Sequence, residues 1–380
     1  MFFYLLLYLL CLFVCFRLDY PFKSKAVRGV LLISVYLFLC FGYMTGSDWR
    51  VYELVYNGEA SADKYLDAGE IGFFYLLQYV KKIISDFWVF SALVKILYIF
   101  IYVKIAGYFT NYKYSVLGAS FGLYTLFMVI SCPYRFLIAS TFILIGLYIW
   151  FNYNWKWAIP FLLLAPMFHA MTIVVVLILL PINFFVNRVV DINKNILYLL
   201  IFVSIILSSL PATQSFIYDK LIPLVGMEGK GEYYSDYSIT AWFSLGTLKF
   251  LFFYLLIVYK RKEIIKSSDK GKYVFYYCVI SLLLQPFFHA IPTAQRFVIL
   301  PALFISIALI TIAMNVRYKK KSVLIYALSF ILLFTVSKEA VKWDMNPYSN
   351  SLYYILTDHL PYNYRYNYNL KVNNVNLEDQ

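Results

Sequence analysis

Two arginines stand where apolar stretches of this chain give way to polar sequence: Arg135 in Ser131-Cys132-Pro133-Tyr134-Arg135-Phe136 and Arg296 in Pro292-Thr293-Ala294-Gln295-Arg296-Phe297. A guanidinium held at a membrane boundary is costly and usually has an anionic partner. Its planar fork suits phosphate better than a point charge does. The alternative is a long side chain that merely anchors a helix end. Two histidines accompany the arginines. His169 lies in Pro166-Met167-Phe168-His169-Ala170 and His289 in Pro286-Phe287-Phe288-His289-Ala290, so Pro-x-Phe-His-Ala occurs twice. The third histidine of the chain is His359. An imidazole accepts or donates a proton near neutral pH, which suits general acid or base work. The alternative for each is a hydrogen bond to a carbonyl that the nearby proline frees. Asp48 adds a carboxylate in Thr45-Gly46-Ser47-Asp48-Trp49-Arg50-Val51-Tyr52. An acid flanked by Trp and Tyr can hold a sugar through hydroxyl bonds and ring stacking. Trp49 and Tyr52 equally suit an aromatic belt at a membrane surface.

The elements that must carry these residues are apolar helices. Of 380 residues, 62% are hydrophobic and 14% charged, too little polar surface for a soluble domain of this size. Apolar stretches at 1–16, 27–45, 87–109, 114–131, 135–151, 157–186, 195–210, 241–259, 273–290, 295–314 and 322–337 approach or exceed the length a bilayer requires. The expected fold is all-α: a polytopic integral membrane bundle of about 10–12 transmembrane helices. Residues 1–337 form its single membrane domain, with outer loops at 46–86 and 211–240, and residues 338–380 form an extracytoplasmic tail. Residues 1–16 are followed by Arg17-Leu18-Asp19-Tyr20-Pro21 rather than a small-residue cleavage site, so a retained first span is expected. The five cysteines lie in or beside spans without metal spacing, which predicts thiols rather than a disulfide framework.

Net charge is +13, and the basic residues concentrate in short loops at 17–28, 260–272 and 315–321. The positive-inside rule assigns these to the cytoplasm, with anionic lipid headgroups rather than nucleic acid as their neighbours. The acidic loops 46–70 and 211–240 then lie outside. One crossing per stretch leaves loop 260–272 on the wrong side. Either 157–186, broken by Pro160 and Pro166, dips into the membrane and returns to the cytoplasmic face, or 70–85 crosses as a short span. We favour the first, because 70–85 reads as an interfacial helix. Gln78, Lys81, Lys82 and Ser85 fall on one stripe and Phe73, Phe74, Leu77, Val80 and Ile84 on another. The stretch Trp343-Asp344-Met345-Asn346-Pro347-Tyr348 is placed to fold back over the outer face.

No phosphate-binding glycine loop, His-Glu-x-x-His zinc motif or Gly-x-Ser-x-Gly elbow is present. No cofactor is expected, and any chemistry must be built from helix ends and outer loops.

Taken in order, several short motifs resemble those of one family. Gly46, Asp48, Trp49, Tyr52 and Tyr56 mark the first outer loop, and Glu70-x-Gly72-Phe73 opens the amphipathic helix. Arg135, Ile138 and Ala139 follow, then Phe168-His169-Ala170, Gln295-Arg296-Phe297 and Pro347-Tyr348. The chain is similar over nearly its whole length to the EpsG-type, Wzy-like polymerases of bacterial exopolysaccharide and O-antigen, with Arg135-Phe136 where the family has Arg-Gln. The resemblance implies a multi-pass protein of the bacterial inner membrane. Its implied reaction moves a growing glycan from undecaprenyl pyrophosphate onto a new lipid-linked repeat unit at the outer face. Membrane lipids and a chain-length regulator are further implied partners. Under this reading Arg135 and Arg296 meet the pyrophosphate, with Tyr134 and Gln295 beside them. His169 or Asp48 takes the acceptor's proton, and Asp48, Trp49, Glu70 and His289 line the sugar site. A lipid-linked oligosaccharide flippase, a membrane O-acyltransferase and a solute transporter are the competing classes.

Overall fold

The computed structural model describes residues 2–46, 49–123, 127–130, 133–186, 188, 192–216, 220, 245–289, 299–315, 331, 334, 337 and 349–357. Among them no sheet forms, and one isolated bridge joins Gly42 to Asn350. In chain order the helices are α1 (Phe2–Arg17), α2 (Lys25–Cys40), α3 (Trp49–Asn57), α4 (Asp63–Asp67), α5 (Ile71–Lys81), α6 (Phe87–Phe109), α7 (Lys113–Gly122), α8 (Phe127–Ile130) and α9 (Tyr134–Asn152). There follow α10 (Trp155–Phe168), α11 (Thr172–Phe185), α12 (Lys194–Ser209), α13 (Pro211–Phe216), α14 (Leu245–Tyr259), α15 (Arg261–Ile265), α16 (Gly271–His289), α17 (Ile299–Asn315) and α18 (Ser351–Leu356). By length and composition α6, of 23 residues, and α9, of 19, can cross a membrane, and several shorter apolar helices accompany them. The stretch expected at 114–131 is two helices, α7 and α8.

The bundle has two chemically distinct ends, and α6 and α9 connect them. Ser91 and Tyr134 share a hydrogen bond of 2.7 Å near the start of both helices. Near their far end the Tyr108 hydroxyl donates to the Phe151 carbonyl at 3.0 Å. Both pairs are 43 positions apart, so α6 and α9 run parallel and in register. The basic loops 17–28 and 260–272 gather at the Phe151 end. Lys270 lies 5.9 Å from the rings of Phe151 and Tyr273. Asp19 accepts from the Tyr114 and Ser115 N–H groups at the start of α7, and Arg261 donates to the Ile192 carbonyl. The acidic loop 46–70 lies at the other end, where Asp86 caps α6 by accepting from the N–H groups of Trp88 and Val89.

Residues 157–186 form a hairpin of α10 and α11. Phe142 stacks on Phe168 at 4.8 Å, so α10 climbs back alongside α9. Phe184, late in α11, packs edge-on against Trp150 at 4.8 Å and Trp155 at 5.2 Å. The segment therefore starts and finishes at the basic end, with its tip at His169–Met171. The break is not at the prolines. Pro160 and Pro166 sit inside α10 and Pro181 inside α11. Each leg has 14 residues, about 21 Å, short of the roughly 30 Å of a bilayer core.

Two apolar cores result. One runs through the bundle. The other caps the acidic end and is mostly aromatic: Tyr43, Trp49, Tyr52, Tyr56, Tyr65, Phe73, Phe87, Trp88, Phe90 and Tyr134. Helix α5 contributes Phe73 and Leu77 to this cap and leaves Gln78 and Lys81 exposed, the amphipathic division its sequence predicts. Residues 343–348 lie outside the described residues. The segment after them folds back over this end: Ser349 accepts from the Tyr43 N–H at 2.9 Å, and Tyr354 stacks on Tyr43 at 4.3 Å.

Candidate active site

Glu70 sits at the N-cap of α5 with its backbone tied on both sides. Its N–H donates to the Tyr65 carbonyl at 2.7 Å, and its carbonyl accepts from Phe73 and Phe74. Gly69, at φ +72°, supplies the left-handed turn that precedes it. The carboxylate does not cap its own helix. It is aimed at the α10–α11 tip, and Gly72 permits the approach. A Cβ at Gly72 would stand 3.1 Å from the Met167 carbonyl oxygen and from the Phe168 ring.

Three elements meet on this carboxylate. Oε1 accepts from His169 Nδ1 at 2.8 Å and from the Ala170 N–H at 3.3 Å. Oε2 takes the Arg135 Nη1 donor from the first turn of α9. Arg135 Nε donates to the Tyr52 hydroxyl at 3.0 Å, and the guanidinium carbon stands 5.1 Å from the centre of the Tyr65 ring. The Glu70 side chain is 3% exposed, His169 6% and Arg135 25%, so the arginine alone of the three faces outward to a useful degree. Burial pushes the Glu70 carboxyl up. The His169 hydrogen bond and the Arg135 charge outweigh it and hold the group below its ordinary value of 4.5. Glu70 is therefore ionised near neutrality and can only accept. Nδ1 of His169 must therefore carry a proton. The carboxylate fixes the angle of the ring, whose Nε2 is buried on the far side, and an imidazole oriented in this way suits acid or base work.

The structure thus brings Arg135, His169 and Glu70 into direct contact, with Tyr134 and Trp49 behind them. Tyr134 is fully buried and bonds Ser91. Trp49 packs 5.5 Å from Trp88 in the aromatic cap. Asp48, Gln295 and Arg296 lie outside the described residues, and His289 closes α16 with its side chain outside them. The anionic partner expected of Arg135 is found within the chain, as Glu70. Tyr52 belongs to the site rather than to an interfacial belt, and Tyr65 of α4 joins it without a sequence signal. The signal for Tyr52 is the helical spacing of Trp49, Tyr52 and Tyr56 on α3, which turns one aromatic face inward.

Residues 25–356 match the EpsG family. The chain belongs to the EpsG family. The match spans α2 through α18 and includes every residue of the Glu70–Arg135–His169 cluster. EpsG membership points to a role of the polysaccharide-polymerase type, a glycosyl transfer, in a membrane setting. No curated protein and no solved structure matches the chain.

Proposed function

We propose that this EpsG protein is a glycosyltransferase that polymerises polysaccharide at the outer face of the bacterial inner membrane. A growing glycan leaves undecaprenyl pyrophosphate and joins the free end of a new lipid-linked repeat unit. The observation that carries this reading is the carboxylate–imidazole pair beside a partly exposed guanidinium, assembled at one end of an apolar bundle. In the transfer, the acceptor hydroxyl passes its proton to His169 Nε2 while its oxygen bonds the anomeric carbon. The bond from that carbon to the pyrophosphate oxygen breaks, and negative charge grows on the leaving group. Arg135 stands where it can meet that charge, because Nη2 makes no hydrogen bond to a described residue. Arg296, Asp48, Gln295 and His289 complete the site in this proposal, Asp48 as a second candidate base.

The orientation follows from charge. The end that gathers loops 17–28 and 260–272 faces the cytoplasm, and the Glu70 end faces out. The donor is already activated, so no nucleotide is consumed. Membrane lipids surround the helices, and a chain-length regulator is the expected protein partner. The test is Arg135→Ala and His169→Ala in cells that make the polymer. Long chains should vanish while single repeat units still reach the surface. Unchanged chain-length ladders in both variants sink the proposal, and loss of even single units at the surface favours a flippase.

A further inference from the structure

We infer that Lys95 is a second phosphate-binding cation of this site, set one layer deeper than Arg135. This rests on the polymerase reading above and deepens it. Lys95 lies in α6 and is fully buried, and its Nζ has no hydrogen-bond partner among the described residues. The face of the Tyr134 ring lies 5.8 Å from it, and the Cys40 thiol is near enough to feel its charge. A weak ring contact does not compensate an ammonium withdrawn from water. Such a side chain, at membrane depth, marks a functional site by default.

Its surroundings specify what would satisfy it. Helical side chains lean toward the helix N-terminus, so the Lys95 stem points from α6 toward the Glu70 end, where Tyr134 precedes Arg135. The register of α6 against α9 places Ser140 at the level of Leu97, between Lys95 and Tyr98. The Tyr98 hydroxyl and the Ser140 hydroxyl are also buried, and neither has a hydrogen-bond partner among the described residues. Each of the three can donate, and the ammonium carries a charge besides. What offsets such a charge is an anion with several oxygens. A phosphate meets that description, and one lipid-borne phosphate is the business of this site. In this inference the two phosphates of the carrier divide between Arg135 at the rim and Lys95 beneath it. The shared chemistry is a lipid phosphate, which a phospholipid headgroup could also offer.

The test uses the full chain in phosphatidylcholine nanodiscs, with farnesyl pyrophosphate as the probe and farnesol as its uncharged control. Farnesyl pyrophosphate should raise the Tm of the wild type, and farnesol should not. Lys95→Met keeps the length of the side chain and removes the charge. It should weaken the probe by about tenfold or more, while Lys95→Arg retains most of the affinity. Without probe, Lys95→Met should be at least as stable as the wild type, because a bare buried charge is gone. A Lys95→Met protein that binds the probe as tightly as the wild type overturns the inference. Where that variant does not fold, Lys95→Gln serves, and unchanged affinity there overturns it equally. If Arg135→Ala abolishes the shift and Lys95→Met does not, this inference alone falls. If the wild type shows no shift with the probe, the polymerase reading falls with it. Stabilisation by phosphatidylglycerol nanodiscs that Lys95→Met abolishes, with no response to farnesyl pyrophosphate, assigns the anion to a phospholipid and overturns the carrier assignment.

Discussion

Glu70 and His169, 99 positions apart, hydrogen-bond at 2.8 Å between the N-cap of an amphipathic helix and the tip of the α10–α11 hairpin. Neither residue is held by its own element alone. The contact fixes the imidazole from outside the bundle, and the same carboxylate takes Arg135.

His169 should be the most sensitive position. Replacing a positioned general base typically lowers the rate by about 10²–10⁴-fold. His169→Ala should do so in a reconstituted transfer assay with lipid-linked repeat units, without loss of folded protein. Activity within a few-fold of wild type would show that proton transfer lies elsewhere, with Asp48 next in line.

Glu70→Gln tests the orienting role. Glutamine keeps the shape and one acceptor but removes the charge that pairs with Arg135 and selects the Nδ1–H tautomer. Breaking a buried ion pair from one side costs about 3–5 kcal/mol where both partners are enclosed. Arg135 is one-quarter exposed, so the loss here should be smaller. The variant should melt earlier and transfer more slowly, and an unchanged Tm with full activity contradicts the role.

The pH dependence has a definite sign. The folded-state carboxyl of Glu70 titrates below its ordinary value of 4.5. A lowered carboxyl contributes stability that is fully present above the unfolded value and is lost as pH falls through the folded value. The Tm gap between wild type and Glu70→Gln should therefore be present at neutral pH and close as pH falls through the folded value. A gap that persists after the carboxyl has titrated contradicts the ion-pair assignment.

Gly72 is predicted to be a packing hinge of the site. A Cβ there meets the Met167 carbonyl oxygen and the Phe168 ring at 3.1 Å, tighter than ordinary contact, so Gly72→Ala should shift α5 slightly and shorten the polymer ladder less than a larger residue does. Gly72→Val should lift α5 from α10, separate Glu70 from His169, and shorten the polymer ladder while the bundle still folds. Equal ladders in both variants would show that the approach of α5 is not needed.

Single cysteines in a background without the native ones can report the orientation. Glu59→Cys and Asn154→Cys are both at exposed positions, on opposite ends of the bundle. A membrane-impermeant maleimide added outside spheroplasts should label the first and spare the second. The reverse pattern puts the site in the cytoplasm and ends the proposed reaction.

Much of the helical frame was legible from hydropathy alone. The stretch expected at 87–109 is α6 with the same bounds, and 135–151 is α9 to within one residue at each end. Long apolar segments carry that signal because each residue's burial is decided locally. The hairpin at 157–186 was legible only through charge parity, and its break was misplaced. Prolines disturb a helix by a missing N–H, yet Pro160 and Pro166 are accommodated within α10, and the chain turns at His169 instead. For the site, residue types drew attention to Arg135 and His169, and the family resemblance drew attention to Glu70. That the three converge could not be read, because no local pattern encodes a contact across 99 residues. It depends on Gly72 allowing one helix to lie on another.

The aromatic cap and the bundle are separate cores, and the cluster straddles the seam between them: Glu70 and Tyr52 come from above, Arg135 and His169 from below. On the proposed reading, competence is thus a docking equilibrium as much as a fold, and a weakened cap would silence transfer before the bundle melts. By the same division, the proposed sugar-facing surface could drift in sequence without disturbing the helices beneath it.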